Sequence, residues 1–469
     1  MTIHHSISAL LRQAADGSPL KTAVAAQKLW NPQKSVMWAT CLLLVVSLIS
    51  ASIYCSDSIT NLTAQEYSDM SLPSISPSQN HMSPPPAPVN PAAMTLEHSD
   101  TSLPGISPSS QERMFSPPPP DPDATKLIDF SVGGCDIWRG DWIPHPDGPA
   151  YTNATCTYIQ ENQNCIKLGR PDLDFLYWRW KPDHCELPLF DAEAFLNIVS
   201  GKTLAFIGDS IARNNFQSVL CYLAQIEKPE CDDWNTLCYF KTYNFTLAER
   251  RAPFLIKGLE RAEGFSQQIA KLDLDVLDET WAPTLHNYDY VVLSAARWFV
   301  RDSLYFVQNQ LVGCNQCPMP NATLEVGWPY AYRAALRTVF DFLISSKYKG
   351  VAFFRTLSPD HWQNAPWDQG GNCTQKAPFQ SESHGLDDLS QFIYKVQLEE
   401  FGKTLKRSSE FAFKLKIVDA LHATALRPDA HPGPYGHFHS RVQNDCLHWC
   451  LPGAVDTWSA MLLHVLKHL

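Results

Sequence analysis

Positive charge is what this chain most lacks. Its 469 residues carry 37 Lys and Arg against 48 Asp and Glu, a formal charge of −11. That balance argues against broad nucleic-acid binding, which needs a basic surface. It suits a neutral ligand better than a polyanion. Long apolar runs are also scarce. One stretch, Val36–Cys55, is free of charge and has about the 20 residues a helix needs to cross a bilayer. Arg12, Lys21, Lys28 and Lys34 precede it, and Asp57 and Glu66 follow. The positive-inside rule then predicts a single-pass type II anchor, with residues 1–35 cytosolic and the rest lumenal. A cleaved signal peptide fits less well, because the leader is long and the run exceeds a typical h-region.

Residues 56–125 are poor in large apolar side chains and rich in Pro and Ser. Such a segment cannot bury a core. It contains a repeat: "EYSDMSLPSISPSQ" from Glu66 returns as "EHSDTSLPGISPSS" from Glu97. The unit has no apolar periodicity, so a duplicated linker is expected rather than a solenoid.

Cysteine, by contrast, is abundant. There are 14, and setting aside Cys41 and Cys55 leaves an even number in residues 126–469. Disulfides and an oxidising compartment follow. Sequons at Asn61, Asn153, Asn244, Asn321 and Asn372 agree. Anchor, stem and oxidised domain together predict a Golgi membrane enzyme.

Within residues 126–469, "TLAFIG" from Thr203, "YVVLSA" from Tyr290, "GVAFFR" from Gly350 and "KLKIVD" from Lys414 read as buried strands. Helix-like stretches lie between them, such as the one from Pro329, and "DTWSAMLLHVLKHL" reads as a closing helix. Strands alternating with helices predict a parallel α/β sheet flanked by helices.

The first of these strands runs into Gly208-Asp209-Ser210. The plain reading is a helix cap at Asp209 or Ser210. The functional reading uses the same geometry. Ligand sites in open α/β sheets lie at the carboxyl ends of strands, and free N–H groups at a helix start stabilise an oxyanion. Gly208 would allow a tight turn. Arg213 and Asn214 would share the helical face of Ser210.

A nucleophilic serine needs a base. "DCLHWC" spaces Asp445 three residues from His448, so that Asp445 can fix the imidazole tautomer while His448 takes the serine proton. "DALH", Asp419 to His422, offers a rival pair. Zinc is the other reading of Cys446, His448 and Cys450, as of "CNQC" from Cys314. Disulfides fit a cysteine-rich lumenal chain better, and no metal is expected. The aromatic run "FLYWRWKP", with Tyr177, Trp178 and Trp180, reads first as core and second as a sugar-stacking surface.

Gly-Asp-Ser followed late by Asp-x-x-His resembles the SGNH/GDSL hydrolase-like pattern. "GGCDIWRGDWI", "QNCIKLGRPDLDFLYWRWKPDHCELPLFD", "FRTLSPDHW" with "GGNC", "RPDAHPGPY" and "DCLHWCLPGAVDTW" are together similar to the plant trichome-birefringence-like family. The resemblance spans Gly134 to the C-terminus. It implies a polysaccharide O-acetyltransferase of the Golgi, with an SGNH-like fold and a smaller second lobe. It implies Ser210 as the acetylated nucleophile and Asp445 and His448 as its partners. No cofactor is implied beyond an acetyl donor, and the acceptor is a wall polysaccharide. The "WRWKP" and "QNC" segments most resemble members that act on xyloglucan side chains. An acetylesterase on the same residues and a non-catalytic glycan-binding protein are the alternatives. One departure stands out: where related members read Ser-Ala-Gly-His-Trp-Phe, this chain has Ala296 and Arg297. Alanine would strain a glycine turn with positive φ, and Arg297 would reshape an acceptor groove.

Overall fold

The computed structural model describes residues 124–262, 268–316, 326–383, 385–436 and 443–469. All belong to one compact unit, Leu103–Leu469. The expected cytosolic segment and anchor, the expected stem up to residue 123, the sequons at Asn61 and Asn321, and Cys317 lie outside the described residues. Ala124 and Thr125, expected to end the stem, open a 3-10 helix (Ala124–Leu127) that belongs to the folded domain. Among the described residues, no helix is long and apolar enough to cross a membrane.

Besides a two-residue antiparallel pairing of Ser131–Val132 with Cys135–Asp136, the strands, in chain order, are β1 (Gly140–Pro144), β2 (Trp178–Pro182), β3 (Thr203–Gly208), β4 (Glu230–Cys231) and β5 (Leu237–Phe240). Next come β6 (Phe245–Arg251), β7 (Ile256–Leu259), β8 (Ala270–Leu277) and β9 (Tyr290–Ser294). The last are β10 (Ser303–Val307), β11 (Gln310–Asn315), β12 (Val351–Arg355) and β13 (Lys414–Val418). A seven-stranded sheet has the order β13-β12-β9-β3-β6-β5-β4. Its first five strands run parallel, and β5 and β4 add an antiparallel edge. The four apolar runs read as strands are four of the five parallel ones. A four-stranded sheet, β11-β10-β8-β7, stands beside it, and β1 and β2 form an antiparallel pair.

Both faces of the large sheet are buried, as a parallel sheet requires. Side chains alternate along β3: Leu204 and Phe206 enter one core, Ala205 and Ile207 the other. The first core is closed by helices α1 (Ala192–Ile198) and α2 (Ser210–Leu223). The second is closed by α3 (Trp328–Ser345) and α4 (Asp388–Leu405). A short α5 (Leu421–Ala425) follows β13. The closing helix α6 (Asp456–Lys467) sends Trp458, Met461 and Leu462 into the first core, alongside Phe216 and Leu220 of α2. The aromatic run divides. Trp180 is core, edge-on to Trp142 with its Nε1 donating to the Ile137 carbonyl, while Tyr177 is exposed.

Candidate active site

The site lies where β3 and β9 end side by side. Gly208 pairs with Ser294 in the parallel register. The strands approach so closely there that a Cβ on Gly208 would sit 1.8 Å from the Ser294 carbonyl oxygen. Glycine is therefore required for a close backbone approach, besides any turn. Asp209 is the N-cap of α2. Its Oδ1 accepts from the N–H groups of Ile211 (2.9 Å) and Ala212 (3.3 Å). Ser210 is the first helical residue, and its N–H, one position earlier, is a helix-start donor with no intrahelical acceptor.

The loop between α5 and α6 brings the other two groups. His448 Nε2 lies 2.7 Å from Ser210 Oγ. His448 Nδ1 lies 2.8 Å from Asp445 Oδ2. The other carboxylate oxygen, Asp445 Oδ1, accepts from the backbone N–H groups of Leu447 (3.1 Å) and His448 (2.9 Å). Both oxygens are thus fixed, and Nδ1 carries the proton that faces the carboxylate. Nε2 is left to accept from the serine hydroxyl. Burial pulls the His448 pKa down, but the charge and hydrogen bond of Asp445 outweigh it, and the net displacement is upward.

The rival pair is elsewhere. Asp419 accepts from Thr356 Oγ1 (2.8 Å) and from the Tyr394 hydroxyl, and His422 Nδ1 accepts from Arg139. Zinc is not the role of the flanking cysteines. Cys446 is bonded to Cys373 and Cys450 to Cys165, and Cys314 is likewise oxidised. Further disulfides join Cys135 to Cys185, Cys156 to Cys221, and Cys231 to Cys238.

The structure bears on three expectations about neighbouring residues. Asn214 is fully buried, and its carboxamide is engaged with one residue of the loop that carries Asp445 and His448. Nδ2 donates to the Trp449 carbonyl (3.2 Å), and Oδ1 accepts from the Trp449 N–H (3.0 Å). It ties helix to loop and is not aimed at an oxyanion. Ala296 has φ of −155°, so no positive-φ glycine conformation is lost there. Arg297 pairs with Asp360 Oδ1 at 2.6 Å and donates to Ser390 Oγ at 2.9 Å. Arg213, on the helical face expected, reaches Glu249 at 3.3 Å.

The sequence alone assigns the "RPDAHPGPY" block no role. Within it, Arg427 and Asp429 form a fully buried ion pair at 2.8 Å. His431 stacks on Trp449 with ring centroids 4.0 Å apart, and its Nδ1 donates to the His448 carbonyl at 2.7 Å. Its Nε2 lies 2.6 Å from His361 Nδ1. Burial, then the neighbouring His361, holds the His431 pKa well below the usual histidine range. Trp449 Nε1 donates to Ser358 Oγ (2.8 Å). The "FRTLSPDHW", "RPDAHPGPY" and "DCLHWC" segments therefore meet in one place.

This arrangement has counterparts in known sequences. Residues 187–465 match the family model PC-Esterase, a GDSL/SGNH-like acyl-esterase family found in Pmr5 and Cas1p. Residues 133–186 match the PMR5 N-terminal domain. Protein trichome birefringence-like 19 of Arabidopsis thaliana is 41% identical over 350 residues, covering 72% of this chain and 82% of its own length. Xyloglucan O-acetyltransferase 4 of Populus trichocarpa is 42% identical over 344 residues, 71% of this chain and 81% of its own. Xyloglucan O-acetyltransferase 2 of Arabidopsis thaliana is 39% identical over 346 residues, 71% and 83%. With the model and the relatives spanning the fold and its Ser210–His448–Asp445 site, the chain belongs to the trichome-birefringence-like branch of the GDSL/SGNH-like acyl-esterase family.

Proposed function

We propose that this protein is a polysaccharide O-acetyltransferase that acetylates xyloglucan side chains through an acetyl-Ser210 intermediate. The observation that carries the reading is the unbroken relay Ser210 Oγ–His448 Nε2–His448 Nδ1–Asp445 Oδ2, with links of 2.7 and 2.8 Å. The acceptor rests on the two relatives named as xyloglucan O-acetyltransferases.

In the first step His448 takes the Ser210 proton as Oγ bonds to the acyl carbon of the donor. The tetrahedral adduct then breaks the bond to the leaving group, which takes the proton from His448. In this reading the Ser210 N–H at the start of α2, which has no intrahelical acceptor, donates to the oxyanion. In the second step His448 takes the proton of a sugar hydroxyl, whose oxygen bonds to the acyl carbon, and Ser210 leaves with that proton. Only an acetyl donor and an acceptor enter this scheme. The apolar run Val36–Cys55 and the disulfides support a Golgi lumenal setting for it.

An acetylesterase shares the first step, and the description of the family model supports that second reading. The test is to incubate the full-length chain with an activated acetyl ester, map the adduct by peptide mass spectrometry, and then add xyloglucan oligosaccharide. Acetyl on Ser210 that moves to the sugar is expected. Loss to water alone would favour the esterase, and no adduct on folded protein would overturn both.

A further inference from the structure

Trp367 is 60% exposed, a large apolar surface to leave in water. It sits at the tip of the loop 362–372, and that loop is held rigidly. Gln363 and Asn372 exchange both backbone hydrogen bonds (2.7 and 3.0 Å), and Asn364 Nδ2 donates to Asn372 Oδ1 (2.9 Å). Trp367–Gln369 form a 3-10 turn that ends at Gly370 with φ of +84°. Gly371 N–H closes back on the Pro366 carbonyl at 3.0 Å, and a Cβ on Gly371 would strike the Ala365 carbonyl oxygen.

Both stems of this loop are fastened to the segment that carries Asp445 and His448. On one side His361 N–H donates to the Cys446 carbonyl (3.0 Å). On the other, Cys373 is disulfide-bonded to Cys446, and Asn444 Nδ2 donates to the Gly371 carbonyl (3.0 Å). The chain thus holds an exposed indole on a stiff support built out from the catalytic loop. Asp368 and Gln369, beside it, are exposed as well. An aromatic face flanked by polar groups is what a pyranose offers a partner for: apolar C–H edges above, hydroxyls around the rim.

We propose that Trp367 is a stacking platform for the acceptor oligosaccharide, a specificity-determining residue outside the catalytic relay. The ligand class is a neutral glycan. The inference rests on the transferase reading, and its test separates the two. In the full-length chain, Trp367→Ala is expected to leave acetylation of Ser210 from the donor alone unchanged. It should raise the KM for xyloglucan oligosaccharide about tenfold, the weight of one aromatic contact, with kcat little altered. Trp367→Phe should recover most of the loss, which a merely structural role for the indole would not predict. Calorimetric titration of the same oligosaccharide into Ser210→Ala, with and without Trp367→Ala, reads binding even if no transfer occurs. Equal affinity in those two proteins, or an unchanged KM, would overturn the platform. Failure of Ser210 to acetylate in the wild-type chain would instead overturn the transferase reading.

Discussion

The imidazole of His431 holds the catalytic loop from beneath: its Nδ1 donates to the backbone carbonyl of His448 across 2.7 Å while its ring lies on Trp449. Burial displaces the His431 pKa well below the usual histidine range, and an Nδ1–H donates from the neutral ring and from the imidazolium alike, so that bond does not come and go with pH. Replacing His431 by Ala leaves the His448 backbone loosely held. We expect kcat to fall about 100-fold, as for a misplacement of order 1 Å, with KM nearly unchanged. His431→Asn, which keeps an N–H donor, should recover part of the rate. Steady-state kinetics on the two variants checks this.

Removing the Asp445 carboxylate removes the group that sets the tautomer of His448. Asp445→Asn is expected to lower kcat by about four orders of magnitude, by analogy with other such triads. Ser210→Ala should abolish the acetyl adduct on intact folded protein. An Asp445→Asn variant acetylated at the wild-type rate would remove the relay from the mechanism.

The pH profile follows from the sign of the His448 shift. The base form is neutral imidazole, and its folded pKa is raised above the ordinary value. The acid limb of kcat/KM should therefore be centred above about 6.5, with activity falling as pH drops through it. Stability carries the opposite sign. The protonated form is favoured in the fold, so this contribution is present below the unfolded pKa and is lost as pH rises through the folded one. Asp445→Asn should move the acid limb to lower pH. A profile flat from pH 5 to 8 would contradict the assignment of His448 as base.

Asn214 makes two bonds to Trp449 at complete burial. Asn214→Ala leaves a backbone N–H and a carbonyl unsatisfied in the interior, at a cost of about 2–4 kcal/mol. Urea unfolding reads this directly. If stability is unchanged while activity is lost, Asn214 acts on the reacting atoms after all.

The Cys373–Cys446 bridge spans 73 residues and ends one residue from Asp445. The double variant Cys373→Ser, Cys446→Ser is expected to lose about 2–5 kcal/mol of stability. It should lose acetylation of Ser210 more steeply than its folded fraction falls. Proportional loss of the two would show the bridge to be only a global staple.

Much of this is legible in the chain. Apolar runs such as "TLAFIG" and "GVAFFR", short and bounded by turn residues, read as strands buried on both faces, and the structure places them there. Ser210 at a strand-to-helix junction, and Asp445 three residues from His448, are local patterns. What is not legible depends on distant partners. Asn214 reads as a face-mate of Ser210, since helical spacing says which residues share a face but not what stands opposite. Arg297 reads as a residue that reshapes an acceptor groove, and its ion pair with Asp360, distant in sequence, is not legible there. Nothing local in "RPDAHPGPY" shows that His431 will lie under a loop formed near the chain's end.

The Cys165–Cys450 bridge joins residues 285 apart, and two of the three relay residues lie close to the second cysteine. The strands of the large sheet and helices α1 to α5 all precede Asp445, while α6, which closes the first core, follows the relay. Under the proposed mechanism Ser210 is made long before its base and acid, and it gains them only once Asp445 and His448 have folded against the start of α2. A chain ended before Asp445 would keep Ser210 but not the means to activate it.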